Sequence, residues 1–294
     1  MVWIRPAQSG AAEMAALPSH ARSTILARLA ALVEADADTF VQTIVLEAGK
    51  TIGMARIELE RAAATLRISA EEARRLGGEI VDPDSTPGGE GCTGVYRRFP
   101  VGIVLAITPF HFPLSTVCHK LGPAFAAGCP PTAISVVPSS TADAERLAAD
   151  PRIGLVSFTG SPEVGWHLKA LAGRKRAALE HGGNAAMIVE PDADLERAAA
   201  RCVQGGFANA GQVCLSVQRV FLHAQVYDKG LARIVAGRGR SPSTTRATRP
   251  RRSARWSRRR RLRWPKRRSA RRSRLAPAAS TAARGRARSS RRPC

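Results

Sequence analysis

The sequence predicts an α/β protein with a doubly wound parallel sheet, a truncated second α/β domain and a disordered basic tail. From Val101 onward, short apolar runs alternate with segments of helical period, which is typical of parallel strands joined by crossover helices. Before them, residues 17–75 carry only helical periodicity. From Gly237 onward large apolar residues are few, so that segment cannot bury enough surface to offset its ordering entropy.

Three helices are predicted over residues 17–75. In the first of them, one face at helical spacing carries the apolar residues Ile25, Leu29, Leu32 and Val33. Ser19 can cap its start, and Gly49 can end the second helix, because glycine readily adopts the left-handed conformation of a helix C-terminus. The third helix is predicted over residues 53–76.

The strand-and-helix alternation follows an extended, glycine-rich stretch at residues 79–99. Strands are predicted at 101–107, 133–137, 153–158 and 176–180, with helices near 115–127, 141–149 and 162–172. Further strands at 185–190 and 217–222 flank a helix near 194–208. Ligands of such sheets bind beyond the carboxyl ends of the strands, so we expect the functional residues in the segments that follow the strands.

The net charge of +23 comes from one end of the chain. Residues 237–294 contain 22 Arg, one Lys and no Asp or Glu, which leaves 23 basic and 23 acidic residues in the remainder. The charge therefore does not indicate a nucleic-acid-binding fold, although the tail is expected to bind polyanions nonspecifically.

The composition also bounds the type of protein. Six cysteines are too few for a disulfide scaffold and lack the spacing of a zinc site, so no metal is predicted. The N-terminus lacks an apolar leader, and no apolar run approaches the ~20 residues of a membrane span. We therefore expect a soluble, reduced, cytoplasmic protein.

Three residues stand out chemically, and each has an ordinary structural alternative. Gly160 precedes a helix start, where free N–H groups suit a phosphate, but such a glycine also serves a simple tight turn. Cys214 follows a Gly-Gln turn and is either a thiolate nucleophile or an inert buried cysteine. Glu180 ends a strand and is either a general base facing a cleft or an exposed carboxylate.

Taken together, the motifs resemble the aldehyde dehydrogenase superfamily over residues 15–236. They are ITPFHFPL at 107–114, FTGSPEVG at 158–165, LEHGGN at 179–184 and FANAGQVC at 207–214, with LEAGK at 46–50 and DADL at 192–195 in matching order. The resemblance implies oxidation of an aldehyde to a carboxylic acid with NAD or NADP as the cofactor.

The resemblance also implies roles for individual residues. Cys214 would attack the aldehyde and pass through a thiohemiacetal and a thioester, and Glu180 would activate the water that hydrolyses the thioester. The cofactor would be bound by Thr108, Pro109, Phe110, Gly160, Ser161 and Gly165. A cofactor domain at 1–184, a partial catalytic domain at 185–236 and an oligomerisation excursion at 79–99 are implied as well, and with them a homo-oligomer.

The chain departs from the family pattern inside the matched region. The resemblance places His111 where the family has an Asn that donates to the oxyanion, so His111 is either a substitute donor or an ordinary loop residue. His181 replaces an apolar residue, which we expect to have little effect. Between Gly128 and Ile134 a strand, a cofactor-binding lysine and a helix of the family are missing, and the pair Pro130-Pro131 marks the join.

The resemblance ends near Ala236, where the basic tail replaces the rest of the catalytic domain. Arg, Ala, Ser, Pro and Gly dominate the tail, and all five have GC-rich codons, so we hypothesise a shifted reading frame. Sequencing the gene tests this hypothesis, which requires the family pattern to continue in another frame. The alternative function is that of an inactive truncated family member whose tail, 237–294, binds nucleic acid or other polyanions.

Overall fold

The computed structural model describes residues 16–129 and 134–239, and these residues fall in one compact unit. The predicted Pro130-Pro131 join lies outside the described residues. Of the segment 237–294, predicted to be disordered, residues 240–294 also lie outside them, and the prediction is wrong for 237–239, which are helical. Within the described ranges, no helix is long and apolar enough to cross a membrane.

Three helices form an N-terminal layer: α1 (Ser19–Ala35), α2 (Ala37–Ala48) and α3 (Ile52–Arg75). With a later helix, α4 (Ser115–Ala126), they enclose a core that includes Leu26, Ile44, Leu66 and Phe125. Gly49 ends α2 with a φ of 68°, as predicted. The predicted Ser19 cap is wrong, because extended Pro18 occupies the N-cap position and Ser19 is already the first helical residue.

A small antiparallel ribbon follows the helices. It consists of β1 (Glu79–Val81) and β2 (Gly94–Tyr96), which pair Ile80 with Val95. These two side chains are 73% and 68% exposed, so the ribbon presents an apolar surface to solvent. The extended excursion predicted at 79–99 is therefore observed.

The central sheet has three parallel strands in the order β3 (Ile103–Ile107), β4 (Ile153–Gly160) and β5 (Arg176–His181). On one face, buried Val156 and Phe158 of β4 pack with α5 (Thr141–Ala149) and α6 (Pro162–Ala172). On the other, Lys120 of α4 donates a hydrogen bond to Ser157, which alternates with Val156 across the strand. Helices on both faces confirm the predicted doubly wound α/β arrangement.

The strand predicted at 133–137 is wrong for the residues described there. Residues 134–140 form no strand, and the side chain of Val136 is 85% exposed. A parallel strand needs a hydrogen-bonded neighbour, and the family strand expected between Gly128 and Ile134 is missing from the sequence. Among the described residues, no strand pairs with the edge of β3 that faces away from β4.

A second, two-stranded parallel sheet consists of β6 (Ala185–Val189) and β7 (Val217–Leu222), joined through α7 (Leu195–Phe207). These elements confirm the strands and the helix predicted in this part of the chain. The final described helix, α8 (Tyr227–Gly239), packs on α7 and extends past Ala236, where the sequence pattern ends.

Candidate active site

The candidate site lies at the carboxyl ends of the central strands, where ligands of such sheets bind. The segment Thr108–Phe110 follows β3, Gly160 ends β4, and His181 ends β5. The N–H of Gly182 donates to Gly160 O at 3.1 Å, which holds the exit of β5 beside the exit of β4. Phe110 and Trp166 are 55% and 63% exposed.

Cys214 lies between a short 3-10 turn (Ala208–Gly211) and β7, and its side chain is exposed. The turn uses left-handed backbone at Asn209 and Gly211, with φ of 48° and 74°. The carbonyl oxygen of Cys214 accepts a hydrogen bond from the N–H of Gly183 at 3.0 Å. This bond connects the cysteine segment to the glycine pair that directly follows β5.

Glu180 pairs with Thr159 in the sheet and is exposed. Since paired residues of parallel strands point the same way, Glu180 lies on the sheet face of Ser157, where α4 supplies two basic residues. The ammonium of Lys120 donates to Ser157 Oγ at 2.9 Å; burial lowers its pKa, and the charge of Glu180 opposes that shift. Burial likewise lowers the pKa of His119, and Glu180 opposes it.

The sequence analysis did not assign a function to His119 or Lys120. Their adjacency on a helix directly after the ITPFHFPL segment was the available signal, but the contact with β4 and β5 depends on the tertiary fold. The structure adds both residues to the polar surroundings of Glu180.

His111 lies half-buried between two aromatic residues. Its ring centroid is 6.1 Å from that of Phe110 and 5.1 Å from that of Phe112, both edge to face. Burial lowers the pKa of His111, the charge of Lys50 lowers it further, and Glu58 opposes both. A histidine with a pKa below its usual value is neutral at pH 7 and keeps one ring N–H as a donor.

The turn at Gly160 and Ser161, predicted to bind phosphate, also stabilises the fold. Ser161 caps α6, accepting from the N–H of Val164 at 3.4 Å, and Pro162 is the first helical residue. A Cβ on Gly160 would lie 2.5 Å from the ring of Phe158. A Cβ on Gly165 would overlap the ring of His181. Both glycines therefore make room for side chains of the protein, a packing role that the sequence analysis did not consider for either of them.

His181, which we expected to have little effect, makes specific packing contacts. Its ring packs edge to face against Trp166 and Phe158, at centroid distances of 5.8 and 6.2 Å. In the described part of the chain, its Nε2 is buried and has no hydrogen-bond partner. The histidine therefore links β5 to α6 at the cost of one unsatisfied nitrogen.

Comparison with known proteins identifies the family. The sequence model of the aldehyde dehydrogenase family matches residues 3–130 and 127–241 of this chain. The chain belongs to the aldehyde dehydrogenase family. The two matched segments of this family member meet at residues 127–130, beside the position where the sequence lacks the expected strand and helix.

Curated relatives agree with this assignment. Aspartate-semialdehyde dehydrogenase 1 of Pseudomonas canavaninivorans is 39% identical over 254 residues, covering 78% of this chain and 54% of the relative. The 3-sulfolactaldehyde dehydrogenase of Priestia aryabhattai is 40% identical over 235 residues, covering 71% and 49%. The chain thus spans about half the length of the curated relatives it matches.

Solved aldehyde dehydrogenases share the fold. Aldehyde dehydrogenase 21 of Physcomitrella patens, in complex with succinate, superposes with a TM-score of 0.73 at 34% identity, over 79% of this chain and 54% of its own. An NADP-complexed, NADP-dependent glyceraldehyde-3-phosphate dehydrogenase of Bacillus halodurans gives 0.74 at 30% identity, over 79% and 54%. An NAD-dependent benzaldehyde dehydrogenase of Corynebacterium glutamicum gives 0.74 at 31% identity, over 81% and 58%.

Proposed function

We propose that this site oxidises an aldehyde to a carboxylic acid, with NAD or NADP as the cofactor. The hydrogen bond from Gly183 N–H to Cys214 O carries the proposal, because it joins the segment of the nucleophile to the residues directly after Glu180. A thiol and a carboxylate, both exposed, thus belong to one end of the central sheet. Structural neighbours described as NADP-dependent or NAD-dependent support the choice of cofactor.

The first stage of the proposed reaction forms a thioester. The thiolate of Cys214 adds to the carbonyl carbon, so that a C–S bond forms and the carbonyl oxygen becomes an oxyanion. The backbone N–H of Cys214 and the ring N–H of His111 would donate to that oxyanion. The C=O bond would then reform as hydride leaves the same carbon, and NAD or NADP, when bound, would supply the two-electron acceptor for this hydride.

The second stage hydrolyses the thioester. Glu180 takes a proton from a water molecule, whose oxygen attacks the thioester carbon. The C–S bond breaks, the thiolate of Cys214 is released, and the product leaves as a carboxylic acid. The exposed position of Glu180 gives water access to its carboxylate.

The residues at the reactive end of the site fit a nicotinamide cofactor. Chain neighbours aside, no described atom lies within 4 Å of the position of a Cβ on Gly182, and Cys214 O lies 3.6 Å from that position on Gly183. The backbone at Gly182 is therefore open on the side of a Cβ, and we propose that the nicotinamide ring approaches Glu180 and Cys214 there. The residues that would hold the cofactor are Thr108, Pro109, Phe110, Gly160, Ser161 and Gly165.

The test measures reduced cofactor and the covalent intermediate in the full chain. With NAD or NADP and a panel of aldehydes, we expect absorbance of reduced cofactor and a mass increase on the peptide that contains Cys214. Neither signal is expected from Cys214→Ala, while Cys202→Ala, a change at a buried cysteine of α7, serves as the matched control. Equal reduction by the native chain and Cys214→Ala would remove Cys214 from the mechanism.

We further propose that the substrate aldehyde carries an acidic group. Two of the relatives bear the names of such aldehydes, aspartate-semialdehyde and 3-sulfolactaldehyde. Arg61 of α3 is exposed, and its guanidinium carbon lies 5.9 Å from the centroid of the Phe112 ring. Within the described residues Arg61 forms no ion pair, so we propose that its charge pairs with the acidic group of the substrate. Arg61→Gln is expected to raise KM about tenfold for an acidic aldehyde and to leave KM for a neutral one unchanged.

A second candidate function is binding of nucleic acid or other polyanions by a chain that does not turn over. The 23 basic residues of 237–294, without a single acidic one, favour it. Binding of heparin and of duplex DNA by the full chain is expected to weaken steeply between low and moderate salt. A chain ending at residue 241 that binds equally well would contradict this role of the tail.

We also propose that the chain self-associates through the exposed apolar ribbon of β1 and β2, where Ile80 and Val95 lie. The double variant Ile80→Lys/Val95→Lys is expected to lower the mass measured by light scattering. An unchanged mass would exclude this surface.

A further inference from the structure

Lys50 and Glu58 form an ion pair inside the N-terminal layer. The Nζ of Lys50 is 2.5 Å from Oε2 of Glu58, and both side chains are fully buried. Removing two charges from water is costly, and apolar side chains of similar volume often stabilise a core as well or better. Stability alone therefore does not explain the pair, and its other contacts lead toward the candidate site.

Glu58 holds the start of α4. Its Oε1 accepts hydrogen bonds from the N–H of Leu114 at 2.9 Å and of Ser115 at 3.2 Å. Leu114 occupies the N-cap position, and its side chain cannot accept a hydrogen bond. The carboxylate of Glu58 thus caps α4 from another helix, and its negative charge suits the N-terminal end of the helix dipole.

Lys50 holds the residue next to His111. Its ammonium lies 3.6 Å from the centroid of the Phe112 ring, a cation–π contact in a desolvated setting. The ring of Phe112 in turn packs edge to face on the ring of His111. One buried ion pair therefore fixes both Phe112 and the first amides of α4.

We propose that Lys50 and Glu58 are a positioning pair that fixes the segment 110–115 so that His111 presents its ring N–H to the oxyanion formed at Cys214. The inference rests on the role of His111 in the proposed function. The pair also acts on His111 electrostatically: after burial, the charge of Lys50 lowers the pKa of the imidazole, and the weaker effect of Glu58 opposes it. The positioning role belongs to the pair, because Lys50 holds the ring of Phe112 and Glu58 holds the amides of Leu114 and Ser115.

The first experiment titrates His111 by NMR in the full chain with labelled histidine, using His111→Asn to assign its signal. Lys50→Met is expected to raise the pKa of His111, because it removes the nearby positive charge. Leu59→Ala, a change at a buried position of the same helix as Glu58, controls for lost stability and is expected to leave the titration unchanged. An unchanged titration in Lys50→Met would overturn the inference.

The double variant Lys50→Met/Glu58→Gln covers the case in which Lys50→Met does not fold. It leaves no unpaired buried charge. The pKa of His111 is expected to rise less than in Lys50→Met, because the loss of the Lys50 charge raises this pKa and the loss of the weaker Glu58 charge partly offsets that rise. A fall of this pKa in the folded double variant would contradict the proposal.

The second experiment couples the pair to His111 in turnover. Lys50→Met is expected to lower kcat about tenfold with KM unchanged, and to lower kcat no further in a His111→Ala background. Full additivity of the two changes would overturn the positioning role. A chain without any turnover contradicts the proposed function instead, and the NMR titration then still decides whether the pair acts on His111.

Discussion

The imidazole of His181 lies against the α-carbon of Gly165, so that any larger residue at 165 would project its side chain into the ring. Glycine at this position of α6 and histidine at the end of β5 are therefore complementary. The contact closes the junction of helix and sheet directly behind the candidate cofactor segment. Any test of Gly165 as a cofactor residue must therefore first separate this packing role from binding.

Gly165→Ala is expected to destabilise the folded chain by about 1–3 kcal/mol, the usual effect of forcing extra atoms into a packed site. Denaturant unfolding followed by circular dichroism measures it. The matched control is Gly53→Ala in α3, where, apart from chain neighbours and the backbone of the helix itself, no described atom lies within 4 Å of the added Cβ. That change is expected to stabilise by up to about 1 kcal/mol, because alanine favours helix.

Rescue distinguishes packing from backbone effects at residue 165. In Gly165→Ala/His181→Ala the ring is absent, so adding the methyl group should lower the free energy of unfolding far less than it does when His181 is present. Equal costs in the two backgrounds would show that the ring is not the obstacle. The variant His181→Leu, which restores an apolar residue, is expected to gain about 1 kcal/mol by removing the buried, unpaired Nε2.

Asp150, the C-cap residue of α5 just before β4, gives a prediction on pH. Arg152 donates to both of its carboxylate oxygens, from Nε at 2.9 Å and Nη2 at 2.6 Å, and this pairing lowers the pKa of Asp150 to about 2. A depressed carboxyl pKa stabilises the folded state above the unfolded-state value of about 3.9, and that contribution disappears as the pH falls through about 2.

The measurement compares the free energy of unfolding of the native chain with that of Asp150→Asn across pH. The native chain is expected to be more stable by a constant amount above pH 5, with the difference shrinking toward zero as the pH falls to about 2. Asp143→Asn, in the exposed capping box of α5, is the comparison at a neighbouring acid. A difference that stays constant down to pH 2 would contradict the assignment to Asp150.

His111 gives a prediction on catalysis. If its ring N–H donates to the oxyanion, His111→Ala lowers kcat by about 10²–10³, and His111→Asn, which restores an amide donor, recovers most of that loss. Steady-state kinetics with a saturating aldehyde measures both. Equal rates in His111→Ala and the native chain would leave the backbone N–H of Cys214 as the donor to consider.

Much of the fold follows from local patterns. Apolar runs predicted the strands 153–158 and 217–222, and helical period predicted the helices 141–149 and 162–172. The structure contains all of them. The prediction of a strand at 133–137 was wrong because a β-strand forms only when a neighbouring strand is available for hydrogen bonding. Its own residues, Ile134 to Val137, have high strand propensity, but the missing neighbour could be read only from the family pattern.

In the candidate site as well, local motifs indicate some residues, whereas others are brought in only by the tertiary fold. Cys214 and Glu180 belong to segments with recognisable motifs, and the Gly183–Cys214 hydrogen bond connects those segments. The Lys50–Glu58 pair joins residues that are far from His111 in sequence, so no local pattern marks its link to the site. Contacts of this kind depend on how helices pack, which periodicity does not specify.

Glu180→Gln separates the two stages of the proposed reaction. Thioester formation needs only the thiolate and the hydride acceptor, whereas hydrolysis needs the carboxylate as a base. The variant is therefore expected to release a burst of one reduced cofactor per site and then to turn over about 10²–10⁴-fold more slowly than the native chain. Rapid-quench mass spectrometry should show acylated Cys214 in the variant. Loss of the burst together with turnover would instead place Glu180 in the first stage, since no acyl enzyme would then form.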